Sequence, residues 1–123
     1  MKYGIADVDC FFRETLRKTK YDARKNRNLD FDIDVDYVLR MFFEQDGKCA
    51  LTGWPMSLDR GGNYKGRMNS YVATMDRLDN QQGYVRGNIQ LTCLLPNLTK
   101  GALNNKEFVE LCKLVADKNC NND

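Results

Sequence analysis

Residues 73–101 decide the fold of this chain and read ATMDRLDNQQGYVRGNIQLTCLLPNLTKG. Two short runs, 71–78 and 88–91, have the length and composition of β-strands and are separated by a glycine-containing loop. The following segment, 93–101, suits a helix. Proline is tolerated only in the first turn of a helix, so Pro96 requires this helix to begin close before it. The stretch therefore predicts a strand, a long loop, a strand and a helix.

Two oxygen-bearing side chains stand in this stretch, on different predicted elements. Asp76 falls in the first strand, and Asn97 falls in the helix. A hard cation such as Mg²⁺ prefers oxygen ligands, and one carboxylate with one amide carbonyl leaves coordination positions for water and phosphate. The pair therefore predicts an open divalent-metal site suited to phosphoester chemistry, and not a closed structural cage.

The same segment resembles the HNH (ββα-metal) endonucleases, in the branch whose first motif reads Asp-Arg where most members have Asp-His. Upstream, residues 45–56 read QDGKCALTGWPM and are similar to the lead-in of phage and bacterial members. The resemblance covers roughly residues 32–116. It implies an α+β fold with a ββα-metal core, N-terminal helices and a C-terminal helix. It also implies metal-dependent hydrolysis of phosphodiester bonds in duplex DNA, as in homing or restriction nucleases.

The resemblance also assigns roles to single residues. Asp76 and Asn97 match positions that bind Mg²⁺ or another divalent cation such as Mn²⁺. Asn88 matches the asparagine that ties the loop between the strands to the backbone, and Lys100 is placed to contact a phosphate. Arg77 stands where most HNH enzymes have the histidine that acts as general base. Asp76, Arg77, Asn88 and Asn97 are therefore the expected catalytic set.

Arg77 needs a separate physical argument. A guanidinium with a pKa above about 12 does not accept a proton at neutral pH. It can instead hold the scissile phosphate and stabilise the charge that develops in the transition state. The attacking water would then be activated by the metal or by another base, for which the candidates are Asp79, Tyr64, Tyr71 and Tyr84. Relatives with the same Asp-Arg pair include restriction enzymes.

The 123 residues include five cysteines and no histidine. The absence of histidine excludes Ser-His-Asp and Cys-His catalysis and every histidine-ligated metal. Zinc-bearing relatives carry two Cys-x-x-Cys pairs, but here only the first cysteine of each remains, Cys49 and Cys93. Two thiolates are too few for a structural zinc, so we expect no zinc site and predict that the two thiols are buried close together.

The net charge of +2 hides an uneven distribution. Residues 13–27 contain seven bases and two acids, a net charge of +5, and residues 65–100 contain five bases and two acids, a net charge of +3. Between them, residues 28–64 contain three bases and seven acids. Two basic blocks suit a polyanion such as double-stranded DNA. The expected DNA contacts are Arg17, Lys20, Arg24, Arg86 and Lys100. The alternative for the first block is a solvated helix face.

The chain is expected to form one domain, 1–123. It comprises a basic helical region (1–47), the ββα core (48–101) and a C-terminal helix with its tail (102–123). Hydrophobic periodicity and capping residues predict three further helices. They run over 6–26, from about Asp34 or Asp36 to about Gln45, and over 106–118 with Asn104 as N-cap. In the last of these we expect an inward face of Phe108, Leu111, Cys112 and Val115.

The hydropathy of the sequence predicts where the protein is located. No apolar run approaches the roughly 20 residues of a membrane span, and the N-terminus lacks the apolar stretch of a signal peptide. We therefore expect no membrane partner and a cytoplasmic protein of a bacterium or a phage-infected cell.

Two rival functions stay open. They are an HNH-fold DNA-binding module without catalysis and a protein–protein adaptor. A twofold-symmetric target would need a homodimer, but the sequence does not identify its surface.

Overall fold

A computed structural model describes residues 3–61 and 69–120. Along the chain it contains α1 (Ile5–Lys25), α2 (Val35–Glu44), β1 (Ala73–Arg77), β2 (Ile89–Cys93), α3 (Leu94–Lys100) and α4 (Asn105–Asn119). The α+β class, with a ββα core between N-terminal helices and a C-terminal helix, is confirmed. None of the described helices is both long enough and apolar enough to cross a membrane.

Local capping signals set the helix boundaries. The Asp34 side chain accepts a hydrogen bond from the backbone N–H of Tyr37 (2.9 Å) and so fixes the start of α2. Asn104 and Glu107 form a reciprocal capping box at the start of α4. Pro96 is the third residue of α3, within its first turn. The predicted helices are thus confirmed to within about a turn at each end.

The two strands form an antiparallel hairpin whose two faces differ in polarity. The register pairs Asp76 with Gln90 and Thr74 with Thr92 on one face. The other face carries apolar side chains that are buried in the core, from Ala73, Met75, Ile89, Leu91 and Cys93. Because side chains alternate along a strand, the hairpin presents an apolar face to the core and a polar face to the site.

Helices α1 and α2 supply most of the core that packs with the apolar face. Val8, Phe12 and Leu16 of α1 are buried in one cluster with Val38 and Phe42 of α2. The rings of Phe12 and Phe42 lie edge to face, with centroids 6.0 Å apart. Complete burial of a large apolar side chain stabilises a fold by about 1.5 to 3 kcal/mol. The N-terminal helices therefore hold the hairpin in place.

The lead-in segment 45–56 is joined to β2 by side chains. The Gln45 amide donates to the Leu91 carbonyl (2.9 Å) and accepts from the Leu91 N–H (3.2 Å), as a neighbouring strand would. Cys49 Sγ accepts a hydrogen bond from the Cys93 N–H (3.3 Å), and both thiols are free and buried. The predicted proximity of Cys49 and Cys93 is confirmed.

The two thiols differ in acidity although they share one environment. Burial raises the pKa of Cys93 to about 12, and the adjacent Cys49 adds to this increase. Burial also acts to raise the pKa of Cys49, but hydrogen bonds from Thr52, Cys93 and Leu51 outweigh it, and the pKa of Cys49 falls below its usual value.

Residues 3–61 and 69–120 contain no group of three or more His, Cys, Asp or Glu placed to hold a metal. That the protein has no structural zinc site stays a prediction.

The loop between the strands is held against the segment that precedes α2. The Tyr84 N–H donates to the Asp30 carbonyl (2.9 Å), and the Asp32 N–H donates to the Tyr84 carbonyl (3.0 Å). A Cβ atom on Gly83 would lie 2.2 Å from the Asp30 carbonyl oxygen. Gly87 adopts a positive φ (86°), which glycine accommodates without strain, whereas Gly83 serves this close backbone approach.

Replacing Gly83 with alanine is expected to lower the free energy of unfolding by about 1 to 3 kcal/mol, because the added methyl group must displace backbone. The matched control is Gln82→Ala, an exposed neighbour, which should change the free energy by less than about 0.5 kcal/mol. Urea unfolding followed by circular dichroism measures both. Equal stability of the two variants would contradict the close approach of Gly83 to Asp30.

The expected inward face of α4 is wrong. No residue of α4 is buried, Phe108 is half-buried, and Leu111, Cys112 and Val115 are exposed. Hydrophobic periodicity shows that a helix has an apolar face but not which element covers it. In the part of the chain that the structure describes, nothing buries this face.

Candidate active site

One pocket brings together three of the four predicted catalytic residues. It has a volume of about 310 Å³, and Asp76 and Arg77 from the end of β1 and Asn97 from α3 all line it. Arg27, Tyr84, Met75, Asn80, Leu98 and Gly101 complete the lining. The two proposed metal ligands, far apart in the sequence, therefore share one site.

Asp76 is buried and held by two side chains. Lys100 Nζ donates to both carboxylate oxygens, at 3.0 Å to Oδ2 and 3.2 Å to Oδ1. Gln90 Nε2 donates to Oδ2 at 2.8 Å. Charge-assisted hydrogen bonds of this kind are the stronger class in proteins, so the orientation of the carboxylate is well fixed.

The structure contradicts the expected phosphate contact of Lys100. Its side chain is only 1% exposed, and the third hydrogen of its ammonium group is donated to the Arg77 carbonyl at 3.1 Å. All three donors are therefore used inside the protein. Lys100 is instead the internal counterion of Asp76.

The polar face of the hairpin continues this network. Gln90 and Asn105 exchange two amide hydrogen bonds of 3.0 Å each, which join β2 to the first residue of α4. Among the described residues, no buried side-chain nitrogen or oxygen is without a hydrogen-bond partner. A fully satisfied polar network is rigid, because breaking any one bond leaves a buried group unpaired.

The Asn97 amide is oriented by its nitrogen. Nδ2 donates to Thr74 Oγ1 at 2.9 Å and to the Met75 carbonyl at 3.5 Å. This leaves the carbonyl oxygen Oδ1 for a ligand. Asp76 Oδ1 accepts from Lys100 alone among the described residues, so it also keeps an acceptor position. One carboxylate oxygen and one amide oxygen in a shared pocket fit Mg²⁺ or Mn²⁺.

Arg77 lies against the loop between the strands. Its Nη1 donates to the carbonyls of Asn80 (3.0 Å) and Gln82 (2.9 Å), and its Nη2 donates to Asn80 Oδ1 (2.9 Å). The guanidinium carbon lies 5.5 Å from the ring centre of Tyr84. Nε and one Nη2 hydrogen have no partner among the described residues. Arg77 is thus held in place with donors left for an anion.

The candidate general bases occupy different places. Tyr84 lines the pocket with Asp76, and its ring packs against Phe31. Tyr71 stacks on Trp54, at a ring distance of 5.1 Å, and lines a different pocket. Asp79 is exposed and outside the lining, and Tyr64 lies outside the described residues. Of the three candidates among the described residues, Tyr84 is the one that lines this pocket.

Asn88 is buried and is a positioning residue. Its Oδ1 accepts from the Asp79 N–H (2.8 Å), and its Nδ2 donates to the carbonyls of Asp79 (3.1 Å) and Gly83 (2.9 Å). These bonds close the loop that carries Asn80 and Tyr84. They are of the kind that the HNH resemblance implies, but Asn88 does not line the pocket.

Apart from Lys100, the expected DNA-contacting residues are exposed. Arg17, Lys20 and Arg24 follow one another at helical spacing along α1. The Arg86 side chain is 54% exposed, pairs with Asp34 at 3.3 Å, and its guanidinium carbon lies 4.9 Å from the ring centre of Tyr37. Their contact with DNA stays a prediction.

Sequence reasoning missed Arg27, Gln90 and Asn105. Arg27 follows α1 directly and lines the pocket, because the chain turns there and its end meets the hairpin. Its place at the end of the basic block was a signal that could have identified it. Gln90 carried no such signal, since its partners depend on strand register and on the docking of α4.

Comparison with known proteins bears on the fold. Neither a family model nor a curated protein matches the chain. A solved structure of the rare-cutting HNH restriction endonuclease PacI is similar, with a TM-score of 0.61 over 86% of this chain and 77% of that chain. The chain has the fold of an HNH endonuclease. At 20% sequence identity the similarity establishes the fold alone, and it agrees with the resemblance seen in the sequence motifs.

Proposed function

We propose that the protein is a metal-dependent endonuclease that hydrolyses phosphodiester bonds in duplex DNA. The observation that carries the proposal is the meeting of Asp76, Asn97, Arg77 and Arg27 in one pocket of an HNH fold. A carboxylate and an amide oxygen are ligands for a hard cation, and two guanidinium groups suit a phosphate. These are the components that phosphodiester hydrolysis requires.

The charges of the pocket favour a phosphate over a free metal ion. Lys100 balances the carboxylate of Asp76, Arg77 adds one positive charge, and Arg27 adds a second that is partly offset by Asp22 at 3.7 Å. A divalent cation alone meets little net attraction, whereas a phosphate brings negative charge to both the arginines and the metal. We therefore expect the metal and the DNA to bind cooperatively.

Each residue has a defined task in this proposal. Asp76 Oδ1 and Asn97 Oδ1 would hold Mg²⁺ or Mn²⁺. When bound, the metal would polarise the scissile phosphate and lower the pKa of a coordinated water. Arg77 would donate to a phosphate oxygen, with its position fixed by Asn80 and Gln82. The Tyr84 hydroxyl lines the same pocket and would orient the attacking water by accepting a hydrogen bond from it, while the proton of that water passes to solvent.

The basic surface of α1 leads towards the pocket. Arg24 lines a shallow depression beside Val85 of the hairpin loop, and Arg27 reaches the pocket itself. With Arg17 and Lys20 further back on α1, these residues offer a DNA backbone several contacts on the way to the site. Such contacts set affinity and carry little sequence information.

The direct experiment is cleavage of supercoiled plasmid. We expect nicked or linear product with Mg²⁺ or Mn²⁺ and none in excess EDTA, with sequencing of the product ends to locate the cuts. Binding to the same DNA is measured in parallel by a mobility shift. No cleavage with either metal, while salt-dependent binding persists, would contradict the proposed enzyme.

Reversing two charges on α1, Lys20→Glu with Arg24→Glu, is expected to weaken DNA binding and to reduce the salt slope by up to about 2, because each phosphate contact contributes about 0.9. The matched control reverses Lys106 and Lys113, two exposed lysines on α4, and should leave the slope unchanged. Fluorescence anisotropy at several salt concentrations measures both. Equal slopes for the two variants would show that the basic face of α1 is a solvated helix face and does not bind DNA.

One observation favours a second candidate, a DNA-binding module without catalysis. The Lys100 ammonium already occupies both oxygens of Asp76, which lowers the attraction of the site for a metal. The plasmid experiment separates the two functions, since the module binds DNA without cutting it. A cytoplasmic location in a bacterial or phage-infected cell stays a prediction from the sequence.

A further inference from the structure

Helix α4 carries an apolar surface that the described part of the chain leaves exposed. Leu114 is 68% exposed and Val115 55%, and Leu95 of α3, which is 52% exposed, lines one cleft together with Leu111 and Val115. Four of the six charged residues of α4 lie on one face at helical spacing, namely Lys106, Glu110, Lys113 and Asp117. The apolar side of α4 is uncovered and lies next to an exposed leucine of α3. An exposed apolar surface of this kind indicates an interaction site.

The edge of this apolar face has a self-complementary pattern. Glu107, Leu111, Leu114 and Lys118 are spaced by four, three and four residues, the spacing of a coiled-coil seam. In chain order the four residues are acidic, leucine, leucine and basic. A second copy that runs in the opposite direction therefore presents the opposite charge at each end. We name these four residues the α4 seam.

We propose that the α4 seam pairs antiparallel with the α4 seam of a second copy of this chain. Antiparallel pairing about the middle of the seam places Glu107 opposite the second copy's Lys118. It also places Leu111 opposite the second copy's Leu114. A twofold axis repeats every contact, so the interface contains two ion pairs and two leucine pairs.

The charged ends of the seam are available for this pairing. Glu107 accepts the Asn104 N–H through Oε1, which leaves Oε2 for another donor. Within the described residues, neither Glu107 nor Lys118 takes part in an ion pair, and both are exposed. Parallel pairing would instead bring each charge against its own copy. The sign pattern therefore selects an antiparallel second copy as the occupant, independently of the proposed nuclease activity.

Charge reversal gives a specific test by analytical ultracentrifugation. The wild-type protein should dimerise with increasing concentration. Glu107→Lys and Lys118→Glu should each raise the dimer dissociation constant by about tenfold or more, because two attractions become two repulsions. An equimolar mixture of the two variants should form a heterodimer, because lysines at both ends of one seam then face glutamates at both ends of the other.

Two further measurements guard the interpretation. Lys113→Glu, on the charged face of α4, should dimerise as the wild type does. Circular dichroism checks that each variant keeps its helices, and Lys118→Glu breaks no contact within the described residues. A wild type that stays monomeric, single variants that dimerise normally, or a mixture that does not associate would each overturn the proposal. The last outcome counts even if Glu107→Lys alone is less stable, since mixing restores complementary seams.

Discussion

Replacing Lys100 with methionine is expected to lower the free energy of unfolding by about 3 to 5 kcal/mol. Methionine keeps the length of the side chain and removes the charge, so Asp76 loses its counterion while it stays 5% exposed. An unpaired buried carboxylate costs several kcal/mol, and Gln90 alone offers only one hydrogen bond. Urea unfolding at neutral pH measures the loss.

The double variant Lys100→Met with Asp76→Asn tests whether the two groups act as a pair. Removing both charges together should cost clearly less than the sum of the single substitutions, because no unpaired charge then remains. The control, Lys106→Met on the exposed face of α4, should change stability by less than about 0.5 kcal/mol. Strictly additive losses, or a Lys100→Met protein as stable as the control, would show that Lys100 and Asp76 do not form a buried pair.

The elements of the fold could be predicted because their signals are local. The capping residues Asn104 and Glu107 predict the start of α4 from four consecutive positions. Pro96 limits where α3 can begin, because proline is tolerated only in the first turn. The order of strand, loop, strand and helix follows from the composition of one continuous stretch. A shared site for Asp76 and Asn97 was expected from their oxygen ligands and from the HNH resemblance, and both residues line one pocket. That they bind a metal stays a prediction.

What could not be predicted depends on distant partners. A lysine near a glycine at a helix end reads as a surface residue, and only the docking of α3 on the hairpin shows that Lys100 is buried against Asp76. The close packing of Gly83 could not be predicted, because its neighbour, the Asp30 carbonyl, lies far away in the sequence. The periodicity of α4 indicated an apolar face but could not say that this face stays uncovered.

Replacing Asn97 with alanine is expected to reduce cleavage by about 10² to 10³-fold, the typical effect of losing one group that stabilises charge in the transition state. The substitution removes Oδ1, the proposed metal ligand, together with a hydrogen bond to Thr74. Single-turnover plasmid cleavage at several Mg²⁺ concentrations measures the loss. Asn97→Asp is the matched variant, because it also lacks the donor to Thr74 but keeps an oxygen ligand. It should retain cleavage and need less Mg²⁺, since it adds a negative charge.

Asp76 requires a different design, because a single substitution there changes both the site and the stability. Asp76→Asn leaves Lys100 buried without its counterion, so a loss of cleavage could come from partial unfolding. The double variant with Lys100→Met removes this ambiguity, since its interior is neutral and it should fold. It should bind DNA but lose cleavage by at least about 10²-fold, because an amide at position 76 is a much weaker ligand than a carboxylate. Lys100→Met alone keeps the carboxylate and serves as the comparison, with circular dichroism under the assay conditions to establish that both variants are folded. If the double variant cleaves DNA at the same rate as Lys100→Met, Asp76 takes no part in the reaction. That result would contradict the proposed metal site.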